Sequence, residues 1–468
     1  MKKNILIILM LLGLSSCQKW LDVKPEDKYI EEDVFKTEQG FANALNGIYL
    51  KLGSSDMYGG SLTMKTTDLL AQYYANSGEL TVYNYEDEGV KSIVDGIWKG
   101  LYGNITNINK FIENIELNST VLDDQTRDVY KGEAYALRAY LYFDLLRYFA
   151  PALTVNPTAE HLPYYHKAGY DISPFYSSTY IFERIVEDLD KATLLLQKDP
   201  VIQMQQVDKP MGLIPDSKWK SRNLRMNFYA VKGLQARAWL WSGNKEKALA
   251  AAQQVIKEQS KFPWITAAQV TLADAPNRIF STENLFEFEN PKLYDFYNSN
   301  FSPAILGPGL LAAGPNHEFL KLIFENWEND LRYSPSWSIE GGKTFPVFIK
   351  YKDVVEKKEA NFRYKVPGIR LSELYLIASE CEPDPNKALG YLNELRLHRN
   401  CAALTSVAVL DEQILKEYRK EFYGEGQLWF YYKRKSAPRI LSAVGLSETA
   451  INLESYTFPV PLSETEQR

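Results

Sequence analysis

The stretch from residue 130 to residue 149, YKGEAYALRAYLYFDLLRYF, decides the fold. Its apolar and small residues recur every three or four positions, which predicts an amphipathic helix with a buried stripe of Ala134, Leu137, Leu141 and Leu145. The segment Tyr180–Leu196 shows the same spacing and is its natural partner. Together the two segments predict a pair of packed helices.

Two further parts of the chain repeat this arrangement. Asn227–Ser242 and Lys245–Gln259 are separated by only a Gly-Asn break, and their small and aromatic residues fall at the spacing of a tetratricopeptide helix pair. Leu371–Cys381 and Asn386–Asn400 flank a Pro-Asp-Pro turn. Each pair alone also fits a generic helical hairpin. Three pairs in one chain predict a stack that buries its apolar faces between neighbouring pairs.

Long segments between the helix pairs lack helical periodicity and are rich in Pro, Gly and aromatic residues. Much of this sequence lies within residues 262–365, and long non-helical insertions in a compact protein usually carry function. Short strands are predicted at Leu285–Phe288 and Thr344–Tyr351. Glu287 and Glu289 alternate with phenylalanines, which predicts one solvated strand face. The predicted fold class is therefore mainly α-helical, with a loop-rich face and a few short strands.

The composition limits the class of protein. The 468 residues include 53 Lys and Arg against 59 Asp and Glu, a formal net charge of −6, and this balance argues against nucleic acid as a partner. Hydrophobic residues make up 45% and charged residues 24%, as in a folded globular protein. Aromatic residues reach 13%, an excess that needs an explanation beyond charge and hydropathy.

The N-terminus has the three parts of a secretory signal. Lys2 and Lys3 precede the apolar stretch Ile5–Leu12, which is too short to span a bilayer, and small residues follow. Cys17 directly after Leu14-Ser15-Ser16 resembles a bacterial lipobox, in which the cysteine thiol is lipidated. An ordinary signal peptide that is cut nearby is the alternative interpretation.

We expect residues 1–16 to be removed and residues 17–468 to form one domain. Acyl chains such as palmitate on Cys17 would then hold this domain at a membrane, since each buried CH₂ contributes roughly 0.8 kcal/mol. No later segment has 18 consecutive apolar residues.

The two remaining cysteines are not expected to form a disulfide. In the predicted third helix pair Cys381 lies at the turn and Cys401 at the far end, about ten residues of 1.5 Å rise apart, or roughly 15 Å. A disulfide requires Cα atoms within about 7 Å. We therefore predict two buried thiols.

Seven pieces of the sequence, in order, resemble the SusD/RagB family of nutrient-binding lipoproteins. They are Cys17 with Trp20-Leu21-Asp22 and Pro25; Phe35 with Ala44-Leu45-Asn46-Gly47-Ile48-Tyr49; Trp98 with Tyr102, Ile105 and Asn109; Gly132-Glu133-Ala134 with Leu137-Arg138-Ala139-Tyr140 and Phe143-Asp144-Leu145; Arg370-Leu371-Ser372-Glu373-Leu374-Tyr375-Leu376 with Asn393-Glu394-Leu395-Arg396; Glu421-Phe422-Tyr423-Gly424-Glu425-Gly426 with Trp429-Phe430 and Lys433-Arg434; and Phe458-Pro459-Val460-Pro461.

The resemblance implies both a fold and a role. The fold is mostly helical, with tetratricopeptide-like pairs near residues 130–196, 227–259 and 371–400 and a loop-rich ligand region within 262–365. The role is to capture oligosaccharides at the outer-membrane surface and pass them to a SusC-like TonB-dependent transporter, without catalysis and without a cofactor. In some members the cargo is a peptide or another nutrient, which remains the alternative here.

Three positions depart from the family pattern. Tyr418 and Leu428 stand where the family usually has Arg, and Tyr431 stands where it usually has Asp. Because these positions normally make ion pairs between helices, the changes put the local C-terminal packing in question.

The sequence carries no signature of an enzyme. It has no His-Glu-x-x-His motif, no phosphate-binding Gly loop and no Gly-x-Ser-x-Gly elbow. His161 and His166 are the only histidines close in sequence, and in a Pro-rich loop they are expected to be solvated rather than to bind metal. A surface glycosidase remains a remote alternative, because two carboxylates across a cleft leave no sequence signature.

A sugar ring stacks its apolar face on an aromatic side chain, which would explain the aromatic excess. Trp98, Trp239, Trp241 and Trp429 lie on helices or family motifs and are predicted to be core. In SusD-like proteins the binding face comes from segments that correspond to Asp68–Tyr85 and Phe262–Trp337 here.

From these two segments we predict stacking platforms and polar contacts. The platforms are Tyr73, Tyr74, Trp264, Tyr294 and Trp337, and the polar contacts are Asp68, Asn76 and Asn298. Trp327 is not included, because it could lie on a short buried helix with Phe319, Leu320, Ile323 and Phe324. We expect no catalytic residue and no metal ligand.

Overall fold

The computed structural model of the chain describes residues 31–169, 171–207, 217–466 and 468. The predicted signal sequence, Cys17 and the Trp20-Leu21-Asp22 motif lie outside these residues.

Helices make up most of the ordered structure. In chain order they are α1 Glu31–Val34, α2 Glu38–Leu52, α3 Thr66–Leu70, α4 Glu88–Leu117, α5 Asp124–Phe149, α6 Ser178–Leu195, α7 Phe228–Trp241, α8 Lys245–Ile256, α9 Ala267–Val270, α10 Leu293–Asn300, α11 Glu318–Phe324, α12 Leu371–Cys381, α13 Pro385–Leu397, α14 Leu410–Glu421, α15 Leu428–Arg434 and α16 Leu462–Thr465.

The strands are short and pair two by two. They are β1 Glu160–Pro163, β2 Phe175–Ser177, β3 Asn284–Glu289, β4 Trp337–Ser338, β5 Val347–Phe348, β6 Lys365–Arg370, β7 Arg439–Ser442 and β8 Ser447–Ala450. Among the described residues they form four antiparallel pairs, β1–β2, β3–β6, β4–β5 and β7–β8. β6 runs directly into α12, so the β3–β6 pair adjoins the third helix pair.

The three predicted helix pairs are present. α5 packs on α6, α7 on α8, and α12 on α13, and the pairs also contact one another through α6–α7 and α8–α12. α12 has the predicted bounds. α5 begins six residues earlier than the periodicity indicates, because Asp123 caps its N-terminus by accepting a 2.8 Å hydrogen bond from the Thr126 amide.

The central helix is α5, which is buried along nearly its whole length. A helix buried on all sides must pair its charged groups, since an unpaired buried charge is costly. Arg138 donates two hydrogen bonds of 2.7 and 2.8 Å to Asp188 on α6, and Glu133 accepts one of 2.6 Å from Arg222. These pairs fix α5 against its neighbours.

Most of the aromatic residues that are predicted to lie in the core are buried. Trp98, Trp241 and Trp429 are buried, while Trp239 is half-buried. Tyr140, Tyr142 and Tyr148 of α5 are buried as well. Much of the aromatic excess therefore packs the interior.

The prediction of a solvated face on β3 is wrong for Glu287. Its side chain is buried and accepts 2.7 Å hydrogen bonds from the side-chain amides of Asn223 and Asn284, with Lys365 Nζ 3.4 Å away. Glu289, at the end of the strand, is exposed. β3 is thus covered on both faces, and buried amides and a lysine replace water around the carboxylate.

Both cysteines in the described residues are free and buried, as predicted. Burial raises the pKa of Cys381 and of Cys401 to about 12, so both thiols stay protonated at neutral pH.

The three positions that were expected to disturb the C-terminal packing are buried. The rings of Tyr418 on α14 and Tyr431 on α15 lie 4.4 Å apart and pack against each other. Leu428 is also buried. An aromatic contact therefore joins α14 to α15 at these positions.

Among the described residues, no helix has both the length and the apolar character needed to cross a membrane.

Candidate ligand-binding surface

The segment after α3, residues 72–83 and hereafter the 72–83 loop, meets two parts of the chain that are far away in sequence. The amide of Ala75 donates a 2.8 Å hydrogen bond to the carbonyl of Ala312, and the amide of Ala443 donates one of 3.0 Å to the carbonyl of Gln72. The loop therefore lies between the non-helical segment around residue 312 and the β7–β8 hairpin. The two segments predicted to form the binding face are in contact.

The loop backbone is strained at both ends. Gln72 and Tyr83 have backbone φ angles of 63° and 58°, in the left-handed region that residues other than glycine seldom adopt. Each such residue costs about 1–3 kcal/mol of folding free energy, and the strained conformation persists only where neighbouring contacts hold it. Here Gln72 Nε2 donates a 2.7 Å hydrogen bond to the carbonyl of Thr81, which ties the two ends together.

Tyr83 is held from both of its ends. Its ring stacks on Trp429 of α15, with centroids 5.7 Å apart and planes 18° apart, and its hydroxyl donates to the carbonyl of Leu70 at 3.0 Å. The loop is thus fixed on the core rather than free to adapt.

A cavity of about 360 Å³ lies between the 72–83 loop and the β7–β8 hairpin. It is lined by amide and hydroxyl side chains together with short aliphatic ones. The lining residues are Gln72, Asn76, Ser77, Thr81, Val82, Tyr83, Ile440, Ser442, Val444, Gly445, Thr449 and Ala450. None of these carries a charge. A concave site with apolar walls and a few polar groups suits a neutral, hydroxyl-bearing ligand.

One lining residue, Asn76, can make a new hydrogen bond, and two valines offer apolar contact. Asn76 Oδ1 accepts from the amide of Gly78 at 2.8 Å, while its Nδ2 group has no partner in the described part of the chain. Val82 and Val444 expose 62% and 56% of their surface and offer the apolar contact.

Tyr73 and Tyr74, predicted as stacking platforms, are buried and present no ring face to a ligand. Each is 1% exposed. Tyr73 packs on Tyr423 and donates to the carbonyl of Arg419 at 2.8 Å, and Tyr74 donates to the carbonyl of Met64 at 2.7 Å. The C-terminal segment covers both rings, which sequence spacing could not reveal.

Asp68, predicted as a polar contact, is also buried. Its carboxylate accepts hydrogen bonds of 2.7 and 3.1 Å from the amides of Gly424 and Gly426. Burial raises the pKa of Asp68 well above its usual range, against the lowering effect of these two amides. The side chain anchors the Gly424–Gly426 turn and does not reach a ligand.

Trp264 and Trp337 have packing roles too. Trp264 is 8% exposed, and its ring stacks on His398 with centroids 4.7 Å apart. Trp337 is 6% exposed and lies against Phe348 and Tyr423. Both rings are therefore used in packing, which leaves little ring surface for a sugar to stack on.

The three remaining predicted residues lie nearer to solvent. Asn76 lines the 360 Å³ cavity. Asn298 is exposed, and Tyr294 is half-buried against Tyr364, whose amide donates to its hydroxyl at 3.3 Å. For Asn298 and Tyr294 the role in binding stays a prediction.

Trp327 does not lie on the short helix that was considered for it from the sequence. Helix α11 ends at Phe324, and Phe319, Leu320, Ile323 and Phe324 are buried as expected. Trp327 follows it with 42% of its surface exposed, and its indole N–H donates to the carbonyl of Asn400 at 2.8 Å. It is an aromatic side chain held in place at the surface.

The residues that sequence reasoning missed are those that tie the loop to the hairpin. Gln72 and the β7–β8 hairpin carry no motif, and Tyr83 was only one of several tyrosines in its segment. The one available signal was the run of small polar residues after Tyr74.

In the described part of the chain, no group of three or more His, Cys, Asp or Glu side chains is arranged so that it could hold a metal ion. His161 is half-buried and His166 is exposed.

Two family models match separate parts of the chain. Residues 19–209 match SusD-like_3, described as "Starch-binding associating with outer membrane", and residues 341–460 match SusD_RagB, described as "SusD family". No curated protein matches the chain.

Solved structures share the fold over nearly the whole chain. A SusD superfamily protein from Bacteroides thetaiotaomicron VPI-5482 is 21% identical, with a TM-score of 0.71, and the match covers 92% of this chain and 98% of that one. A SusD-like carbohydrate binding protein from Bacteroides vulgatus ATCC 8482 is 19% identical, with a TM-score of 0.68 and coverage of 92% and 96%. Surface glycan-binding protein A from Bacteroides thetaiotaomicron is 16% identical, with a TM-score of 0.65 and coverage of 93% and 98%. These matches confirm the predicted fold class.

Proposed function

Because the chain belongs to the SusD/RagB family, we propose that it is a surface protein that captures neutral oligosaccharides and passes them to a TonB-dependent outer-membrane transporter without chemical change. The family and the fold support carbohydrate binding at the cell surface. The choice of ligand site and the class of sugar rest on the cavity between the 72–83 loop and the β7–β8 hairpin.

One observation carries the proposal: the lining of that cavity is uncharged, with apolar walls and a few amide and hydroxyl groups. Oligosaccharides present hydroxyl groups to amides and alcohols, and their C–H faces to apolar side chains. A charged ligand would lose its hydration and find no opposite charge in this lining, which costs free energy. The chemistry favours a neutral sugar over a uronic acid, a phosphorylated sugar or a charged peptide.

The rigidity of the cavity supports binding rather than catalysis. Gln72 and Tyr83 are locked by the contacts described above, so little conformational entropy is lost when a ligand binds. Glycosidases need a pair of carboxylates about 5–10 Å apart, and the lining holds none.

Anchoring and partnership belong to the same proposal. Lipidation of Cys17 would tether the domain to the outer membrane, and a tethered binder needs a transporter to move its ligand inward. Mass spectrometry of the mature terminus tests the anchor: acyl chains on Cys17 support it, and an unmodified terminus elsewhere contradicts it.

A binding screen tests the ligand class directly. The soluble chain without residues 1–17 is applied to a glycan array and, in parallel, to a peptide pool. We expect binding to neutral glycans and no turnover of the bound glycan. Binding confined to peptides, or release of cleaved sugar, would contradict the proposal.

A further inference from the structure

Trp327 is the one exposed tryptophan in the part of the chain that the structure describes. It exposes 42% of its surface, whereas every other tryptophan of that part is buried or half-buried. Among the same residues, no aromatic ring or cationic group stacks on it. One large apolar ring is therefore available to a ligand.

The orientation of the Trp327 ring is fixed by two consecutive hydrogen bonds. Its indole N–H donates to the carbonyl of Asn400 at 2.8 Å, and Asn400 Nδ2 donates to the carbonyl of Asn329 at 3.1 Å. The indole N–H is the only polar group of this side chain, and it is already satisfied. What Trp327 offers to a ligand is thus the apolar face of the ring.

The turn that leads from α11 to Trp327 is anchored on α14. Glu325 and Asn326 have backbone φ angles of 55° and 60°, in the left-handed region. The carboxylate of Glu325 lies 2.5 Å from Lys420 Nζ and 3.0 Å from Lys416 Nζ. Because these ion pairs hold the strained turn, little conformational freedom is lost when a ligand stacks on the ring.

Three exposed asparagines adjoin Trp327, either in sequence or through a hydrogen bond. The side-chain amides of Asn326 and Asn329 and the Oδ1 atom of Asn400 make no hydrogen bond to another described residue. An apolar partner surface would bury these groups unpaired, which costs free energy. A sugar hydroxyl both donates and accepts, so it can pair with either end of an amide.

The last turn of α14 links this surface to the hairpin that borders the 360 Å³ cavity. Arg419 donates a 3.1 Å hydrogen bond to Glu448 of β8, and the next residue, Lys420, pairs with Glu325. The Trp327 turn and the β7–β8 hairpin are therefore held by consecutive residues of one helix.

The cavity itself offers no free aromatic ring, because Tyr83, its one lining aromatic residue, stacks on Trp429. Resting on the proposed function, we propose that Trp327 forms a second saccharide-binding site. One pyranose ring stacks its C–H face on the indole, and the adjoining asparagine amides bond its hydroxyl groups. A ligand of about a dozen non-hydrogen atoms at so open a site binds with roughly millimolar affinity.

Fluorine NMR of the purified protein, labelled with 5-fluorotryptophan, tests the proposal. The resonance of Trp327 is identified by its absence from the spectrum of Trp327→Phe. The probes are the methyl pyranosides of glucose, galactose, mannose and xylose, and sorbitol is the control because it has no ring face to stack. We expect at least one pyranoside to shift the Trp327 resonance saturably, while the resonances of Trp241 and Trp429 stay in place. No shift with any pyranoside, or an equal shift with sorbitol, would overturn the proposal.

A variant beside the ring tests the role of the amides. Asn329→Ala removes one side-chain amide and keeps the carbonyl that accepts from Asn400, so the apparent dissociation constant of the pyranoside should rise about three- to tenfold. Asn298→Ala is the matched control, since that exposed asparagine adjoins neither Trp327 nor the cavity. Equal dissociation constants in the two variants would overturn the assignment of the amides.

The two sugar sites can fail independently. If the Trp327 resonance responds to a pyranoside but Asn76→Ala does not weaken oligosaccharide binding, the cavity proposal alone is contradicted. If Asn76→Ala weakens oligosaccharide binding but the Trp327 resonance responds to no pyranoside, the second site alone is contradicted.

Discussion

Ser442 Oγ donates a 3.1 Å hydrogen bond to Gln72 Oε1, joining two residues that are 370 positions apart in the sequence. The Gln72 side chain also donates to the carbonyl of Thr81, and the backbone carbonyl of Gln72 accepts from the amide of Ala443. One side chain thus fixes the 72–83 loop, the hairpin and the cavity between them. The proposed ligand site depends on this connection.

The first prediction concerns the coupling between Gln72 and Ser442. Gln72→Ala removes the hydrogen bonds to Thr81 and Ser442 and should cost about 1–3 kcal/mol of unfolding free energy, while Ser442→Ala should cost less. Because both variants remove the same contact, the double variant should be less destabilised than the sum by about 0.5–1.5 kcal/mol. Denaturant unfolding of the four proteins measures this, and strict additivity would argue that the contact is not formed.

The second prediction separates two candidate asparagines. Asn76→Ala should weaken binding of a neutral oligosaccharide roughly three- to tenfold, the effect of one hydrogen bond, with little change in stability. Asn298→Ala is the matched control, since Asn298 is exposed and does not line the cavity. Calorimetric titration compares them, and a loss of affinity in Asn298→Ala alone would move the site to another face.

The third prediction reverses the role first expected for Trp264. Because its ring is buried against His398, Trp264→Ala should lower the unfolding free energy by about 3–5 kcal/mol. Trp327→Ala, on an exposed ring with one hydrogen bond, should cost only about 1 kcal/mol. If Trp264→Ala unfolds at the same denaturant concentration as the wild type and yet fails to bind ligand, the packing role is contradicted and the stacking role is supported.

The fourth prediction is a loss of stability in acid. Burial alone would raise the pKa of Glu417, but Arg332, Lys420 and Arg396 lower it to about 2. The unfolded pKa is about 4.3, so this carboxylate stabilises the fold above that pH and its contribution, up to about 3 kcal/mol, disappears as the pH falls towards 2.

Unfolding free energies between pH 7 and pH 2 test this, with Glu417→Gln as the comparison. The variant should be less stable at neutral pH and should lose less stability on acidification. An exposed acid such as Glu88 provides the control, and Glu88→Gln should follow the wild-type pH profile. Parallel profiles for Glu417→Gln and the wild type would contradict the assignment.

The sequence could predict the helical part of the fold because its determinants are local. The apolar spacing of Leu371–Cys381 and the Pro-Asp-Pro turn after it set both the bounds and the pairing of α12 with α13. The six residues missed at the start of α5 follow from the Asp123 cap, which is polar and adds nothing to the apolar stripe.

The positions of the loop aromatics could not be predicted, because their partners lie hundreds of residues away. Tyr73 and Tyr74 follow a short helix and carry no helical spacing, so they resemble exposed platforms. Residues near Tyr423, about 350 positions later, cover them. Glu287 was misassigned for a related reason: alternation along a strand reveals two faces but does not show that Asn223 covers the second.

The most direct test of the proposed function is a calorimetric titration of the soluble chain with a matched pair of oligosaccharides. One member is a neutral glycan found by the array, and the other is the same glycan with a uronic acid in place of one neutral sugar. The uncharged cavity predicts that the neutral glycan binds, that the uronic acid form binds at least tenfold more weakly, and that Asn76→Ala weakens the neutral glycan. Equal or tighter binding of the charged form, with no effect of Asn76→Ala, would contradict it.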